Sequence, residues 1–533
     1  MNAPLAGLLL AATAAAQQPG IDVRNYIFRI SIPDTGSEIQ GQAIVVFRHS
    51  AAAGDTLRLN LVGLTVDSVI GLPPRGSRRP LEARYDGRVL HVPLRALGAG
   101  DLSVAVAYHG VPQDGLRIGP NAHGDRVAFA DNWPERARYW LPTVDAPGDK
   151  AGVSWAVEVP AGWRVVANGQ RSGGRTLPNG RGLFTWLIQR PIPVSTMVLG
   201  AGKLAVSRHA AADSAAGWVG VEVWTYPQDS AFADSVPFRS ATAIVDIMSG
   251  LVGPFPYAWL SHVESSTRYG GMENSGAIFY AERPYVERSM REGVVRHETA
   301  HQWFGDAVTE REWAHLWLSE GFASYFDLVV GARLHGDSVL ADGMRRAAAA
   351  YFASPVLDRP VVDTAQHDPS RLLNANSYQK GAWVLHMLRG EIGDSAFFQG
   401  IRAYYRVYRD RTVVSADFQR EMERAAGRRL DWFFRQWLWQ PGYPQVVYAW
   451  TQDSTAGAVH LHVSQVQPAT WGRFRLPHLA VQFERPDGGT PEVRDIAVTA
   501  PETDVTIDVP FAPVRVTLDP DHRLLLSARP TTP

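Results

Sequence analysis

At 533 residues the chain is too long for one hydrophobic core of ordinary size, so several domains are expected. Its 45% hydrophobic and 20% charged residues match a globular protein, and Lys plus Arg (52) nearly balance Asp plus Glu (53). That balance gives no basic field for nucleic acid or anionic membrane, and the absence of cysteine excludes disulfides and thiolate metal ligands.

In chain order, residues 1–16, "MNAPLAGLLLAATAAA", form a short apolar run ending in small residues, the pattern of a secretory signal cut after Ala16. Export to the periplasm or the exterior is the expectation. Residues 17–226 alternate in short runs between Gly, Pro, Asn and Asp, and read as an antiparallel β domain. "NYIFRISI" sets Tyr26, Phe28, Ile30 and Ile32 on one face, and "TLRLNLVGLTVDSV" and "DLSVAVAYHG" repeat the alternation. Residues 227–440 turn helical, in runs such as "SAFADSVPFRSATAIVDIMSGL" and "GAWVLHMLRGEIGDSAFFQGIRAYYRVY". Two capping boxes are expected to start helices there, Ser289 with Glu292 and Thr309 with Glu312. Residues 441–533 return to strand alternation in "VHLHVSQV", "LAVQFER" and "VRVTLDP". No stretch approaches the roughly 20 apolar residues of a spanning helix, so no membrane span is expected.

Within the helical part, "RHETAH" places His297 and His301 four apart, with Glu298 directly after the first. On a helix running from Ser289 to about Phe304 both imidazoles reach one ion, and Glu298 lies beside it as a base for water. The same spacing also suits two ordinary helical histidines. A catalytic zinc needs a third protein ligand and an open position. Phe304 and Ala307 stand where a metzincin would need Gly and His, which excludes that pattern. Glu320, nineteen positions after His301 in "WLSEGFASYF", completes a two-His, one-Glu set of the thermolysin type; the alternative is a surface carboxylate, against which its apolar flanks argue. Such donors point to zinc. Asp327 is a candidate outer partner for a ligating histidine, and Gly321 suggests a close packing contact.

Upstream, "YGGMENSGAI" carries Gly270, Gly271, Met272, Glu273 and Asn274, and downstream "NSYQKGAWVLHMLR" carries Tyr378. With "ARYWLPTVDAPGDKAGVSWAVEVPAGWRVVANG" and "DWFFRQWLWQPGYP", these segments resemble the aminopeptidase N family of zinc metallopeptidases, which includes leukotriene hydrolase, over roughly residues 22–445. The resemblance implies a multidomain α+β fold: an N-terminal antiparallel β domain (17–226), a thermolysin-like catalytic domain (227–440) and a C-terminal β-sandwich (441–533), without the large helical domain that many members add. It implies one Zn2+ per chain, peptides with a free N-terminus as substrates, Glu273 on the substrate amine and Tyr378 as oxyanion donor. Gly270, Gly271 and Met272 would line the substrate, with Tyr269 beside them. Ser319 stands where the family has Asn, and Asp131 and Asn132 lie near, but not in register with, the family's N-terminal-domain partner for the amine. An endopeptidase or an epoxide hydrolase on the same scaffold is the alternative; endopeptidase action would leave Glu273 without a task, because internal peptide bonds present no free amine. A zinc-retaining binding protein would not need Glu298, Glu320 and Tyr378 together.

Overall fold

The computed structural model describes residues 18–531 apart from 51–53, 74–76, 211–217, 236 and 454–456. The expected signal, residues 1–16, lies outside the described residues. The chain forms two compact units: Met1–Ser249 with Pro254–Glu312 and Tyr408–Val413, and Gly250–Gly253 with Trp313–Val407 and Val414–Pro533.

In the first unit, alternation sets the faces. Tyr26, Phe28, Ile30 and Ile32 are all fully buried, in or just after the strand Ile21–Ser31. This strand lies inside an eight-stranded sheet, antiparallel to Ile39–His49 but parallel to Lys150–Val159. The antiparallel reading holds for the other pairs of this sheet, and the one parallel pair is added by the fold, because alternation fixes which side chains face the core and is blind to strand direction. The run at 56–69 splits between two sheets: Thr56–Asn60 pairs with Val89–Pro93, and Thr65–Leu72 pairs with Gly100–Gly110.

Five strands of the first unit build the sheet that ends beside Glu273, in the order Ala205–Ala210, Gly220–Thr225, Trp259–Ser265, Ala277–Ala281, Gly271–Met272. Three of these lie in the stretch expected to be mostly helical, where the residue pattern did not mark them. Their neighbours explain the miss. Gly220–Thr225, Trp259–Ser265 and Ala277–Ala281 pair in parallel and are buried along almost their whole length, so no polar face interrupts them to reveal a period of two.

Both capping boxes are corrected as well. The histidine helix runs Glu292–His301 with Arg291 at its N-cap. Ser289 instead ends the preceding turn, its N–H donating to the Pro284 carbonyl at 2.9 Å. Thr309 lies in a short strand, Val308–Glu310, parallel to Arg411–Val413, and its hydroxyl donates to the Asp306 carbonyl at 2.9 Å. Pairing satisfies this backbone, and no helix starts there.

The second unit holds the helices Trp317–His335, Ser338–Phe352, Gly381–Ile392, Asp394–Tyr408 and Ser415–Ala426, and then the C-terminal strands. Gly393, at φ 81°, breaks the expected long run at 381–408 into two helices. The C-terminal strands form a four-stranded and a three-stranded sheet, linked where the Tyr448 hydroxyl donates to the Val516 carbonyl at 2.9 Å. Among the described residues, no helix is long and apolar enough to cross a membrane.

Gly321 has the packing reason that its place in a helix suggested. A Cβ there would stand 2.8 Å from Gly381 Cα and 3.1 Å from the Ser377 carbonyl oxygen, so two helices meet backbone to backbone. Gly321→Ala should therefore destabilise the protein by about 1–3 kcal/mol. Gly390→Ala, on the helix Gly381–Ile392 with nothing within 4 Å of its Cβ, should be neutral or gain up to about 1 kcal/mol. Denaturant titration of both variants checks the contrast, and equal midpoints would refute it.

Candidate metal centre

Helical periodicity brings the two histidines together. Glu292 opens the helix, where a carboxylate is favoured, and its ion pair with Arg296 at 2.5 Å supports the first turn. One turn apart further along, His297 Nε2 and His301 Nε2 lie 3.1 Å from each other, with the rings nearly perpendicular at 83°. The far nitrogen of His301, Nδ1, is 3.1 Å from the Phe304 carbonyl, an acceptor only. That contact holds the Nδ1–H tautomer and leaves Nε2 with a lone pair, the usual preparation of a ligating histidine. Two converging imidazole nitrogens of this kind fit a divalent transition ion. His301 is buried, His297 half-buried, and Glu298 between them is buried on the same helix.

The edge strand Gly271–Met272 lies against this helix and carries Glu273 to it. One carboxylate oxygen each of Glu273 and Glu298 and one imidazole nitrogen of His301 lie within 4.8 Å of one another. This packing requires Gly271: a Cβ there would overlap the Glu298 carboxylate, with Cδ at 2.5 Å and Cγ at 2.7 Å. Gly270 is exposed, and a Cβ there would meet none of the described residues within 4 Å, whereas Met272 is buried in the core and Tyr269 is half-buried beneath Arg136, whose guanidinium lies 5.7 Å from the ring centre.

Two residues that the sequence did not single out hold this segment. Gln302 is fully buried; its amide donates to the Glu273 carbonyl at 2.9 Å and accepts from the Gly276 N–H at 2.8 Å. Asn168, also buried, donates to the Ser275 and Thr196 carbonyls at 2.9 and 2.7 Å and accepts from the Val198 N–H at 2.6 Å. Gln302 directly follows the histidine pattern, and a buried amide there is the one sequence signal available. Asn168 is distant in sequence and gave none.

Charge around the segment is neutralised in pairs. Asp131 accepts from Arg136 at 2.6 Å and from Arg268 at 2.9 Å, and Arg268 also reaches Asp114 at 2.6 Å. Burial raises the Asp131 carboxyl, and the two guanidinium groups oppose it. Asn132 is fully buried; its side chain donates to the Met197 carbonyl at 2.6 Å and accepts from the Trp140 indole at 2.8 Å. Asn132 is thus a structural residue, while Asp131 fixes the arginine that precedes Tyr269. Behind His301, burial pushes the Asp306 carboxyl well up, with Glu273 adding to the rise, and lowers the Lys150 ammonium to about 8. Lys150 donates to the Asp306 and Ala307 carbonyls at 2.7 and 2.9 Å.

In the second unit, Glu320 is buried one turn into the helix Trp317–His335, with Ser319 buried before it and Asp327 half-buried two turns on. Tyr378 is half-buried in a π-helical turn, Asn376–Lys380, where Lys380 N–H reaches back five residues to the Ala375 carbonyl at 2.9 Å. Such turns are often found at functional sites. The Gly321–Gly381 contact lets the helix bearing Glu320 approach the turn bearing Tyr378.

Residues 251–437 match the model of the Peptidase family M1 domain. "Probable aminopeptidase 2" of Sulfurisphaera tokodaii is 28% identical over 331 residues, 58% of this chain and 41% of that one. "Aminopeptidase N" of Lactococcus lactis is 33% identical over 204 residues, 35% of this chain and 24% of its own. A leukotriene A-4 hydrolase homolog of Botryotinia fuckeliana is 25% identical over 338 residues, 57% of this chain and 49% of the relative. The chain thus spans less than half the length of each of these relatives. The crystal structure of a mutant M1 zinc metallopeptidase from Deinococcus radiodurans superposes with a TM-score of 0.68 at 25% identity, covering 79% of this chain and 95% of that one. The matched region, residues 251–437, holds the histidine helix, Glu320 and Tyr378, and is thus similar to the peptidase family M1 domain, in line with the aminopeptidase N family that the motifs resemble.

Proposed function

We propose that this chain is a zinc-dependent aminopeptidase that removes the first residue from peptides, with one zinc held by His297, His301 and Glu320. The observation that carries the reading is the convergence of Glu273 on Glu298 and His301, within 4.8 Å. A protonated α-amine entering a water-poor cleft needs an anionic partner, since an unpaired buried charge costs several kcal/mol. Glu273 offers that partner beside a base and a metal ligand, at a spacing suited to the first peptide bond.

Zinc, when bound, supplies a Lewis acid that polarises the scissile carbonyl and makes water more acidic. The remaining work falls to side chains. Glu298 takes the proton of the attacking water and returns it to the leaving amine. Tyr378 donates to the developing oxyanion, where loss of one donor costs about 100-fold or more in rate. Glu273 holds the amine, Gly270 and Gly271 admit the peptide backbone, and buried Met272 shapes the floor with Tyr269 at its side. An endopeptidase would gain nothing from a carboxylate at Glu273, because an internal peptide bond brings no amine.

His297→Ala should lose zinc and activity together, since two remaining protein ligands rarely hold a catalytic ion. Glu298→Gln and Tyr378→Phe should keep zinc while kcat falls at least 100-fold in each. Elemental analysis beside steady-state kinetics checks the set; a Glu298→Gln variant within a factor of two of the parent would sink its role.

Gly271→Ala tests the base through its neighbour. The new methyl group should push the Glu298 carboxylate aside, so kcat should fall at least tenfold while zinc content stays at the parent level. Unchanged kcat would show that Glu298 need not sit where Gly271 lets it.

The function itself is tested with one peptide in free and N-acetylated form, followed by mass spectrometry. Stepwise loss from the free N-terminus, refusal of the acetylated form and a narrower gap in Glu273→Ala are expected, with that variant losing a few kcal/mol in kcat/KM on free peptide. Internal cuts, or equal rates on both forms, would overturn the reading.

A further inference from the structure

A second convergence of donors lies in the first unit, away from the histidine helix. His123 sits in the turn between the strands Leu116–Pro120 and Arg126–Ala130, Asp229 just before the short helix Ser230–Ser235, and Glu264 near the end of the strand Trp259–Ser265. One nitrogen of His123 and one oxygen of each carboxylate lie within 4.8 Å of one another. Three chain segments far apart in sequence thus meet through a nitrogen and two carboxylates, a donor set that a zinc or manganese ion accepts.

The outer contacts leave one oxygen of Glu264 over. Asp229 Oδ1 is 3.0 Å from Arg288, and Asp229 Oδ2 is 2.5 Å from His123 Nε2. Glu264 Oε2 accepts from the Tyr226 N–H at 2.9 Å, whereas among the described residues Glu264 Oε1 receives no N–H or hydroxyl donor, although the residue is 0% exposed and its carboxyl lies beside that of Asp229. A fully buried carboxylate oxygen without a donor is costly, and an ion would satisfy it. Each carboxylate is steadied through its other oxygen, as ligating carboxylates are. The turn at His123 is itself braced: Asn121 Oδ1 accepts from the N–H groups of His123 and Asp125, both at 2.9 Å. The His123 side chain remains 22% exposed, which gives an ion a way in.

We propose that His123, Asp229 and Glu264 form a second metal site, which takes a divalent transition ion of the zinc or manganese kind. Its ion would tie the turn at His123 and the segment at Asp229 to the strand that leads, nine residues after Glu264, into Glu273. It has no part in the peptidase chemistry, and its role is to hold this segment in place.

The test uses the full chain with both helix histidines replaced, His297→Ala with His301→Ala, so that its outcome is independent of the peptidase reading. After chelation and a check by circular dichroism, Zn2+ and Mn2+ are titrated separately, and bound metal is counted by elemental analysis. One ion per chain is expected, lost when Asp229→Asn is added. His123→Ala, checked by circular dichroism in the same way, should weaken the affinity at least tenfold. No bound ion would overturn the proposal and leave a carboxyl pair that shares a proton. An ion whose affinity ignores both further substitutions would overturn it equally.

Discussion

The centre depends on one steric constraint, the close approach of the Gly271 backbone to the Glu298 carboxylate. Because position 271 has no side chain, an edge strand can lie directly on the histidine helix and bring Glu273 to the face that carries Glu298 and His301. Every other feature of the segment serves that approach. Gln302 joins the end of the helix to both sides of the Glu273–Gly276 turn, and Asn168 and Thr196 anchor the same turn from the β layers. The carboxylates are thus held by backbone and amide contacts, so their positions do not rely on flexible surface side chains.

Placing several carboxylates in one buried region carries an electrostatic cost, and the structure meets it by local pairing. Asp131 lies between two guanidinium groups, while Lys150 donates to the carbonyls beside Asp306. Burial still moves the charge states: it raises Asp306, raises Asp131 against its two guanidinium partners, and lowers Lys150. Glu264 belongs to the same pattern, raised to about 9 by burial, with Asp229 adding to the rise. Functional sites gather such shifted groups because a chemistry of proton transfer and metal ligation needs donors and acceptors out of water.

In the second unit the corresponding constraint is the Gly321–Gly381 contact, where absent side chains again allow an approach that any Cβ would block. The π-helical turn at Asn376–Lys380 begins just before it and sets the direction of Tyr378. Lys380, fully buried in that turn and lowered by burial to about 7, donates to the Gln440 and Gly442 carbonyls at 3.0 and 2.8 Å and so fixes the turn to the start of the C-terminal strands.

Much of this was legible in the residues themselves. The four-residue spacing of His297 and His301 determines a shared helical face, because a helix repeats every 3.6 residues wherever it is placed. The alternation of Tyr26, Phe28, Ile30 and Ile32 likewise determines a buried face. Gly321 announced a close contact, although its partner Gly381 could not be read. Tertiary structure alone decided what depends on neighbours distant in sequence: the parallel pairing of Ile21–Ser31 with Lys150–Val159, the buried strands at 259–281 that show no alternation, and the use of Thr309 in a strand. It also decided that Asp131 holds Arg268, that Gln302 and Asn168 clamp the Glu273 segment, and that His123, Asp229 and Glu264 meet at all. The physical reason is common to all of these. A local period is set by backbone geometry and survives in any context, whereas pairing partners and buried polar contacts are chosen by the fold, which brings together groups whose order along the chain carries no trace of it.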